Sequence, residues 1–266
     1  MKGSNIMFSI FYVIVYLSFV FALTSIVNNI FLIPLWIVFA PFVSVFMLLM
    51  IFKLFTPFYR LTGPKNKFFT YTTRSMGNTV NRFIARVRPI YHGLNNIPSN
   101  GKTVFYSTHK SYTDVFILLS IIKRPLAFTP KKTLYKIPVV GGWLEAMGSF
   151  MVDRDNDRDT VKRLVEAIKR VKSEQAMIVF PEGGTKYKHE ELLGEIKVGS
   201  LKIATKSQAA IIPVRIMGST QVRKRMPFYH TDKHVYFMPP ITYEQYKDMP
   251  STELADLIRN DINFPK

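Results

Sequence analysis

The distribution of apolar and polar residues divides the chain into two parts. Ile6–Leu23 gives 18 mostly apolar residues and Phe31–Phe52 gives 22, with a polar-leaning turn between them. As helices, these runs would be roughly 27 and 33 Å long, close to the hydrocarbon thickness of a bilayer. We therefore predict a membrane-anchoring helical hairpin over residues 1–60, followed by a second domain over residues 61–266.

The hairpin segment contains no charged residue from Gly3 to Phe52. This favours a membrane hairpin over a pair of core helices in a soluble protein, because core helices rarely lack charge on every face. A cleaved signal peptide is an alternative, but the first run has no convincing small-residue cleavage site. Basic residues flank the hairpin at both ends, which places that side in the cytoplasm. Pro34 and Pro41 leave open whether the hairpin spans the bilayer or bends into one leaflet.

In the second domain, short apolar runs alternate with segments of helical periodicity. Phe69–Arg88 has the pattern of an interrupted amphipathic helix, suited either to a membrane surface or to a linker. Beyond it, apolar runs predict strands at Thr103–Ser107, Leu126–Thr129, Ser149–Val152, Met177–Phe180, Ile211–Ile216 and Val235–Met238. Helical spacing predicts helices at Asp114–Ile122, Lys136–Ala146, Asp159–Ser173, Val198–Lys206 and Thr252–Ile262. This alternation predicts an α/β fold with a largely parallel sheet flanked by helices, preceded by the hairpin.

A histidine and an aspartate five positions apart, His109 and Asp114, follow the first of these strands. The order of strand, polar turn and helix lets the two side chains fold together beyond the carboxyl end of the strand, where sites in such folds lie. A carboxylate that holds one imidazole nitrogen leaves the other free to take a proton from a hydroxyl. A structural alternative stays open on this segment alone, because Ser111-x-x-Asp114 also fits a helix N-cap.

The charge is concentrated in the second domain. The chain has 36 Lys and Arg against 18 Asp and Glu, and residues 53–266 carry a net charge of +17. A basic body on an apolar leader suits an anionic membrane surface. Nucleic acid is the competing partner for such charge, but it gains nothing from the leader, so we expect membrane lipids and no nucleic acid. The chain has no cysteine, and its five histidines lack metal-like spacing, so we expect no metal site.

Four sequence blocks in order resemble the glycerolipid acyltransferase family, the group that contains 1-acylglycerol-3-phosphate acyltransferases. The resemblance covers roughly residues 88–216. The blocks are His109-x-x-x-x-Asp114, Gly148–Arg154, Phe180-Pro181-Glu182-Gly183 and Ile212-Pro213-Val214, with a dilysine stretch, Lys131-Lys132, before the second. One departure follows the third block, where Gly184-Thr185-Lys186 replaces the usual Thr-Arg-Ser. This departure concerns the acceptor headgroup rather than the chemistry.

The resemblance implies a membrane enzyme with its active site on the cytoplasmic face. Such an enzyme moves an acyl group from a thioester of coenzyme A or acyl carrier protein to the sn-2 hydroxyl of 1-acylglycerol-3-phosphate (lysophosphatidic acid), giving phosphatidic acid. His109 would be the general base and Asp114 would orient its ring. We expect no covalent acyl-enzyme, and no cofactor beyond the thioester co-substrate.

The resemblance also implies which residues hold the substrates. Arg154 would bind the acceptor phosphate bidentately, and Lys186 would be a looser ligand. Glu182 would hydrogen-bond the glycerol backbone or buttress the site, and Gly183-Gly184 would let main-chain N–H groups approach an anion. Lys132 would stabilise the tetrahedral oxyanion or the donor phosphates.

Two other functions remain as alternatives to this interpretation. One is acylation of a different lysolipid acceptor, which uses the same chemistry. The other is a non-catalytic membrane scaffold that retains the fold. The presence of both His109 and Asp114 argues against the scaffold.

Overall fold

The apolar runs form long helices and short buried strands in the computed structural model, which describes residues 6–27, 29–149, 157–183, 192–226 and 228–264. The helices are α1 (Met7–Val27), α2 (Ile33–Thr62), α3 (Lys67–Thr79), α4 (Thr113–Ile121), α5 (Lys132–Tyr135), α6 (Val140–Ala146), α7 (Asp157–Lys172), α8 (Val198–Ser207), α9 (Val222–Arg225), α10 (Tyr243–Tyr246) and α11 (Ser251–Asn263). The strands are β1 (Val87–His92), β2 (Thr103–Ser107), β3 (Leu126–Phe128), β4 (Ala176–Val179), β5 (Ala210–Met217) and β6 (Thr231–Phe237).

The described strands form one six-stranded sheet in the order β1-β6-β5-β2-β4-β3. Neighbouring strands are parallel except for β5 and β6, which are antiparallel. Strand β2 lies in the middle, with Tyr106 opposite Val179 of β4 and Pro213 of β5. The α/β fold with a largely parallel sheet, preceded by two apolar helices, is therefore confirmed.

Helices cover both faces of the sheet, which explains why its central strands are mostly apolar on both faces. Strands β2 and β4 are buried along their whole length. On one face, Phe105 and Ile178 belong to a core shared with α4 and the base of the hairpin. On the other face, Val104 and Met177 belong to a core shared with α7, α8 and α11.

Most elements lie where the sequence predicts them. The bounds of β2 to β5 and of α4, α7, α8 and α11 agree with the predictions to within two residues. The helix predicted at Lys136–Ala146 is wrong in its first part, because α6 begins only at Val140. Pro138 lies just before it, and a proline interrupts a helix that would continue through it. The predicted strand Ser149–Val152 lies almost wholly outside the described residues.

The amphipathic helix predicted at Phe69–Arg88 is also wrong in its second half. Helix α3 stops at Thr79, a π-helical turn covers Val80–Ile84, and the chain then enters β1. Strand β1 lies at an edge of the sheet, which is where a strand containing a proline, here Pro89, is tolerated.

Helices α1 and α2 form the predicted hairpin. Helix α1, with 21 residues, and the segment Ile30–Thr62 are each long and apolar enough to cross a membrane. The buried residues of α1 lie in its first two turns, so the base of the hairpin packs on the body while the rest is largely exposed. Pro41 lies within α2 without ending it. The division of the chain at residue 60 stays a prediction.

Helix α3 joins the hairpin to the body rather than lying apart as a surface helix. The backbone N–H of Phe8 in α1 donates to the hydroxyl of Ser75 in α3, at 2.7 Å. On its other side α3 approaches α4 so closely that a Cβ on Gly77 would lie 2.7 Å from the carbonyl oxygen of Phe116. Small residues on α3 therefore allow a tight connection between the hairpin and α4.

Candidate active site

His109 and Asp114 lie at the carboxyl end of the central strand. Strand β2 ends at Ser107 and α4 begins at Thr113, so the two residues bracket a short turn. His109 Nδ1 lies 3.7 Å from Asp114 Oδ2, and Nδ1 has no hydrogen-bond partner among the described residues. The structure thus brings together the two residues that the sequence predicts as a pair, at a distance slightly longer than a hydrogen bond.

The imidazole of His109 is held by an aromatic neighbour. Its ring stacks on that of Phe180, with 4.1 Å between centroids and 22° between planes. Phe180 opens the Phe180–Gly183 block, so the third block supports the histidine of the first. The side chain of His109 is 15% exposed. Because Nδ1 faces Asp114, Nε2 is the nitrogen available to a substrate.

Asp114 is fully buried, and both of its carboxylate oxygens accept hydrogen bonds. Oδ2 accepts from the backbone N–H groups of Lys110 and Ser111, both at 2.8 Å. Oδ1 accepts from Ser219 Oγ and Lys233 Nζ, both at 2.6 Å. The N-cap alternative holds in part: Tyr112, the residue before α4, makes no capping hydrogen bond, but the Ser111 hydroxyl accepts from the N–H of Thr113 at 3.4 Å. Asp114 reaches back from the first turn of α4 to the N–H of Ser111 and also fixes the loop that carries His109.

Lys233 is a residue of the site that the sequence analysis does not single out. Its side chain has no exposed area, and Nζ also donates to Thr113 Oγ1 at 2.6 Å and to Ser219 Oγ at 2.9 Å. A signal for it exists in β6, where buried positions alternate with more exposed ones. Lys233 occupies a buried position, and a cation there requires a buried anion.

The electrostatics of Asp114 follow from these contacts. Burial alone would raise the pKa of Asp114, but the ammonium of Lys233 and the nearby imidazole of His109 hold that pKa well below its usual value. Asp114 is therefore a carboxylate at neutral pH. A fixed negative charge beside His109 Nδ1 stabilises a positive imidazolium.

A second buried ion pair lies on the other side of the histidine loop. Lys110 Nζ donates to Glu182 Oε1 at 2.7 Å, and both side chains are almost fully buried. The same oxygen accepts from the backbone N–H of Gly194, also at 2.7 Å. Glu182 Oε2 has no hydrogen-bond partner among the described residues. Glu182 therefore ties the Phe180–Gly183 turn to the His109 loop through Oε1.

The turn after Glu182 depends on glycine. Gly183 has a φ of +71°, a conformation that side chains disfavour, and its N–H donates to the carbonyl of Phe180 at 3.0 Å. The stem of Lys197 lies against Gly183, since a Cβ on the glycine would be 2.9 Å from its Cε. The side chain of Lys197 is exposed. Like Lys233, Lys197 is a cation near the site that the sequence analysis does not single out.

The remaining predicted residues are not brought to the pair by the described structure. Lys132 is exposed at the start of α5, which follows the carboxyl end of β3, two strands from β2. Arg154, Gly184 and Lys186 lie outside the described residues. Within the described part of the chain, no group of three or more histidines and carboxylates is arranged to hold a metal ion.

Fold and site together define an α/β protein with an imidazole–carboxylate pair at the carboxyl edge of a mostly parallel sheet. Such a pair can take a proton from a hydroxyl. Residues 88–217 match the family model described as Acyltransferase. Within these residues the chain matches the acyltransferase family, and all four sequence blocks lie in the matched range.

Individual relatives agree with this family. The chain is 31% identical over 179 residues to a chloroplastic 1-acyl-sn-glycerol-3-phosphate acyltransferase of Brassica napus, covering 65% of this chain and 50% of that protein. It is 25% identical over 185 residues to a 1-acyl-sn-glycerol-3-phosphate acyltransferase of Borreliella burgdorferi, covering 69% and 73%. The chain spans about half the length of the Brassica relative.

A solved structure has the same fold. It is the crystal structure of the 1-acyl-sn-glycerophosphate (LPA) acyltransferase PlsC from Thermotoga maritima, with a TM-score of 0.57 and 19% sequence identity. The match covers 97% of this chain and 92% of that one. The match therefore includes the two N-terminal helices as well as the sheet and the helices that cover it.

Proposed function

We propose that this protein transfers a fatty acyl group from an acyl thioester to the sn-2 hydroxyl of 1-acylglycerol-3-phosphate, giving phosphatidic acid. The observation that carries the proposal is the imidazole of His109, held between Phe180 and the buried, ionised Asp114 at the carboxyl end of β2. The names of the relatives support the choice of acceptor. The family supports acyl transfer as the reaction.

In the proposed reaction His109 Nε2 takes the proton from the acceptor hydroxyl as its oxygen attacks the thioester carbonyl. Asp114, fixed by Lys233 and Ser219, stabilises the imidazolium that forms. The tetrahedral intermediate then expels the thiolate, which takes up the proton from the imidazolium. An ester bond forms, a thioester bond breaks, and no acyl-enzyme is needed.

The acceptor phosphate is assigned to cations near the Phe180–Gly183 turn. Arg154 is the proposed bidentate ligand and Lys186 a looser one, with Gly183-Gly184 offering backbone N–H groups. Lys197 joins them, because its exposed ammonium lies beside Gly183. This assignment predicts a preference for a phosphorylated acceptor over 1-acylglycerol, which lacks the phosphate.

The acyl donor is proposed to be a thioester of coenzyme A or of acyl carrier protein. Both are acidic, and the chain has a net charge of +18. Lys132 is proposed to meet the donor phosphates or the tetrahedral oxyanion, since it follows the carboxyl end of β3 at the same edge of the sheet. The thioester is a co-substrate, and no further cofactor is proposed.

The protein is proposed to reside in the membrane through α1 and α2, with the active site on the cytoplasmic face. Apolar burial is not screened by salt, so the full chain should stay in the membrane pellet through high-salt and alkaline washes. Recovery of the full-length protein in the soluble fraction would contradict the anchor.

The test of the proposed function supplies purified protein with an acyl thioester and a panel of lysolipids, and identifies the products by mass spectrometry. We expect phosphatidic acid from 1-acylglycerol-3-phosphate, and its loss in a folded His109→Ala variant. If only another lysolipid gives a product, that lysolipid would be the acceptor in place of 1-acylglycerol-3-phosphate. No transfer to any lysolipid by the folded protein, with either donor, would favour the non-catalytic scaffold.

Arg154 gives a test of the acceptor headgroup. A charge-assisted hydrogen bond contributes about 1.5–3 kcal/mol, so Arg154→Ala should lower kcat/KM roughly 10–150-fold on the phosphorylated acceptor. Lys186→Ala should lower it less. On 1-acylglycerol the loss should largely vanish, and an equal fractional loss on both acceptors would withdraw the phosphate assignment.

A further inference from the structure

The connection between β5 and β6 carries a cluster of exposed apolar side chains. We call residues 222–230 the rim segment. Within it, Met226 is 42% exposed, Phe228 is 81% exposed and Tyr229 is 69% exposed. Large aromatic side chains in water are unfavourable, and a group of them on one short segment is typical of a surface that meets a partner. Their burial is not needed for the fold, since Val222 is the only buried residue among the described side chains of the segment.

The same segment is strongly basic. Its sequence contains Arg223-Lys224-Arg225, and the side chains of Lys224 and Arg225 are exposed. The sequence of the segment contains no acidic residue. Exposed aromatics beside a run of cations fit the headgroup region of an anionic bilayer, where the rings enter the interface and the cations meet lipid phosphates.

The rim segment lies at the active-site edge of the sheet. It follows β5, whose carboxyl end adjoins that of β2, the strand that leads to His109. Ser219, three residues before the segment begins, donates to Asp114 at 2.6 Å. A membrane contact here would therefore place the catalytic pair close to the lipid surface.

The segment also lies near the base of the hairpin. His230, at its end, hydrogen-bonds the guanidinium of Arg86 at 3.0 Å, and the next residue donates its N–H to the carbonyl of Arg86. Three residues before Arg86, the ring of Phe83 stacks on that of Tyr12 in α1, with centroids 4.8 Å apart. Tyr12 belongs to the buried base of α1. These contacts connect the base of the hairpin with the end of the rim segment.

We propose that the rim segment is a second membrane contact, which inserts Phe228 and Tyr229 into the interface of an anionic bilayer beside the hairpin. Two fixed contacts, the hairpin and the rim segment, hold the His109 edge of the sheet against the lipid. That this orientation helps a lipid acceptor to reach His109 rests on the proposed function. The membrane contact of the rim segment does not depend on it.

The absence of cysteine from the chain permits a direct test with single labels. Phe228→Cys is labelled with an environment-sensitive fluorophore in the full-length protein and reconstituted in phosphatidylcholine vesicles with or without about 30% phosphatidylglycerol, an anionic lipid. Ser99→Cys is the matched control, because Ser99 is exposed and precedes the amino end of β2, at the opposite edge of the sheet. Phe21→Cys, on the exposed part of α1, reports insertion of the hairpin.

We expect the label at position 228 to shift its emission to the blue and to be quenched several-fold more slowly by iodide than the label at position 99. Both effects should grow with phosphatidylglycerol. Lys224→Glu with Arg225→Glu should abolish that growth while leaving the label at position 21 protected. These measurements need no substrate, so they stand or fall separately from the catalytic proposal.

Two results would overturn the inference. One is equal quenching at positions 228 and 99 in anionic vesicles in which position 21 is protected. The other is protection of position 228 in detergent on addition of acyl carrier protein, without protection in vesicles, which would make the segment a docking surface for an acidic protein.

Discussion

Two buried lysine–carboxylate pairs flank the loop that carries His109, and they differ in how completely the carboxylate is hydrogen-bonded. Asp114, paired with Lys233, accepts hydrogen bonds on both oxygens. Glu182, paired with Lys110, accepts on Oε1, while Oε2 has no partner among the described residues. In the first pair every carboxylate oxygen is hydrogen-bonded, so the charge and the position of Asp114 are both fixed. Within the described part of the chain, the second pair leaves Glu182 Oε2 without a donor, which suits a group that meets a substrate.

The largest expected effect comes from removing the negative charge of Asp114, the carboxylate of the first pair. Asp114→Asn should lower kcat by roughly 10²–10⁴-fold, because an amide does not stabilise the imidazolium of His109. The matched control is Asp232→Asn, an exposed carboxylate on β6 that lies 3.8 Å from Arg88 and should be silent. Turnover is measured on variants shown to be folded by circular dichroism. Near-normal turnover of Asp114→Asn would refute the role of the pair.

Removing the cation of the same pair should act first on stability. Lys233→Met leaves Asp114 buried without a counter-charge, which costs about 3–5 kcal/mol of unfolding free energy. Lys247→Met is the control, since Lys247 makes an ion pair of similar length, 2.7 Å, at the surface with Glu244 and should change little. Thermal unfolding in detergent compares the two. Similar melting temperatures for both variants would contradict the burial argument.

The cation also sets the pH dependence of the first pair. Lys233 lowers the pKa of Asp114 in the folded state, so this group stabilises the fold above its ordinary pKa of 3.8 and loses that contribution as pH falls. Without the cation, burial raises the pKa instead. The acid limb of the kcat/KM profile of Lys233→Met should therefore move to higher pH, and Lys233→Arg should restore it. An unmoved acid limb would assign Lys233 to the fold alone.

A substitution in the second pair, Lys110 and Glu182, should weaken binding of the acceptor more than it lowers turnover. If Oε2 of Glu182 receives a hydrogen bond from the acceptor, Glu182→Gln should lower kcat/KM about 10–150-fold, mainly through KM. The kcat and KM values separate this result from that of Asp114→Asn. A fall in kcat at constant KM would show that Glu182 acts through Lys110 on the position of the histidine loop.

The smallest effect concerns the turn that carries Glu182. Gly183→Ala places a side chain at a positive φ and should cost about 1–2 kcal/mol, while the flexible stem of Lys197 moves aside. Gly199→Ala is the control, because Gly199 is helical and a Cβ there meets no atom within 4 Å. It should be neutral or slightly stabilising. Chemical denaturation measures both, and equal stabilities would contradict the strain argument.

The parts of the site that the sequence predicts are those that are close in the chain. His109 and Asp114 are separated by one turn, so a strand–turn–helix pattern is sufficient to bring them together. Lys233 and Ser219 lie 119 and 105 residues after Asp114. Ser219 reaches it from the end of β5, and Lys233 reaches it through the antiparallel return of β6. Local periodicity contains no information about that return, and the alternating burial of β6 is only a weak signal for it.

The same limit applies to the fold. Buried strands such as β2 and β4 are continuous apolar runs and are predicted closely. Edge strand β1 is not predicted from the sequence, because only one of its six residues is buried and the strand therefore lacks the apolar signal. Contacts with β6 decide its conformation, and these are not local.

The position of α3 has a consequence for how such proteins can be recombined. Helix α3 contacts α1 through Ser75 and through a hydroxyl pair, Ser9 and Thr79, 3.1 Å apart, and it lies against α4 at Gly77. A chimera that takes its anchor from a relative keeps these contacts only when α1, α2 and α3 are transplanted as one cassette. Two surfaces must then be matched, the one between α3 and α4 and the one between α2 and α6, where Trp143 packs on Phe52 and Tyr59. The anchor is thus coupled by direct packing to the helix that carries Asp114, and a foreign anchor must fit that helix as well as the membrane.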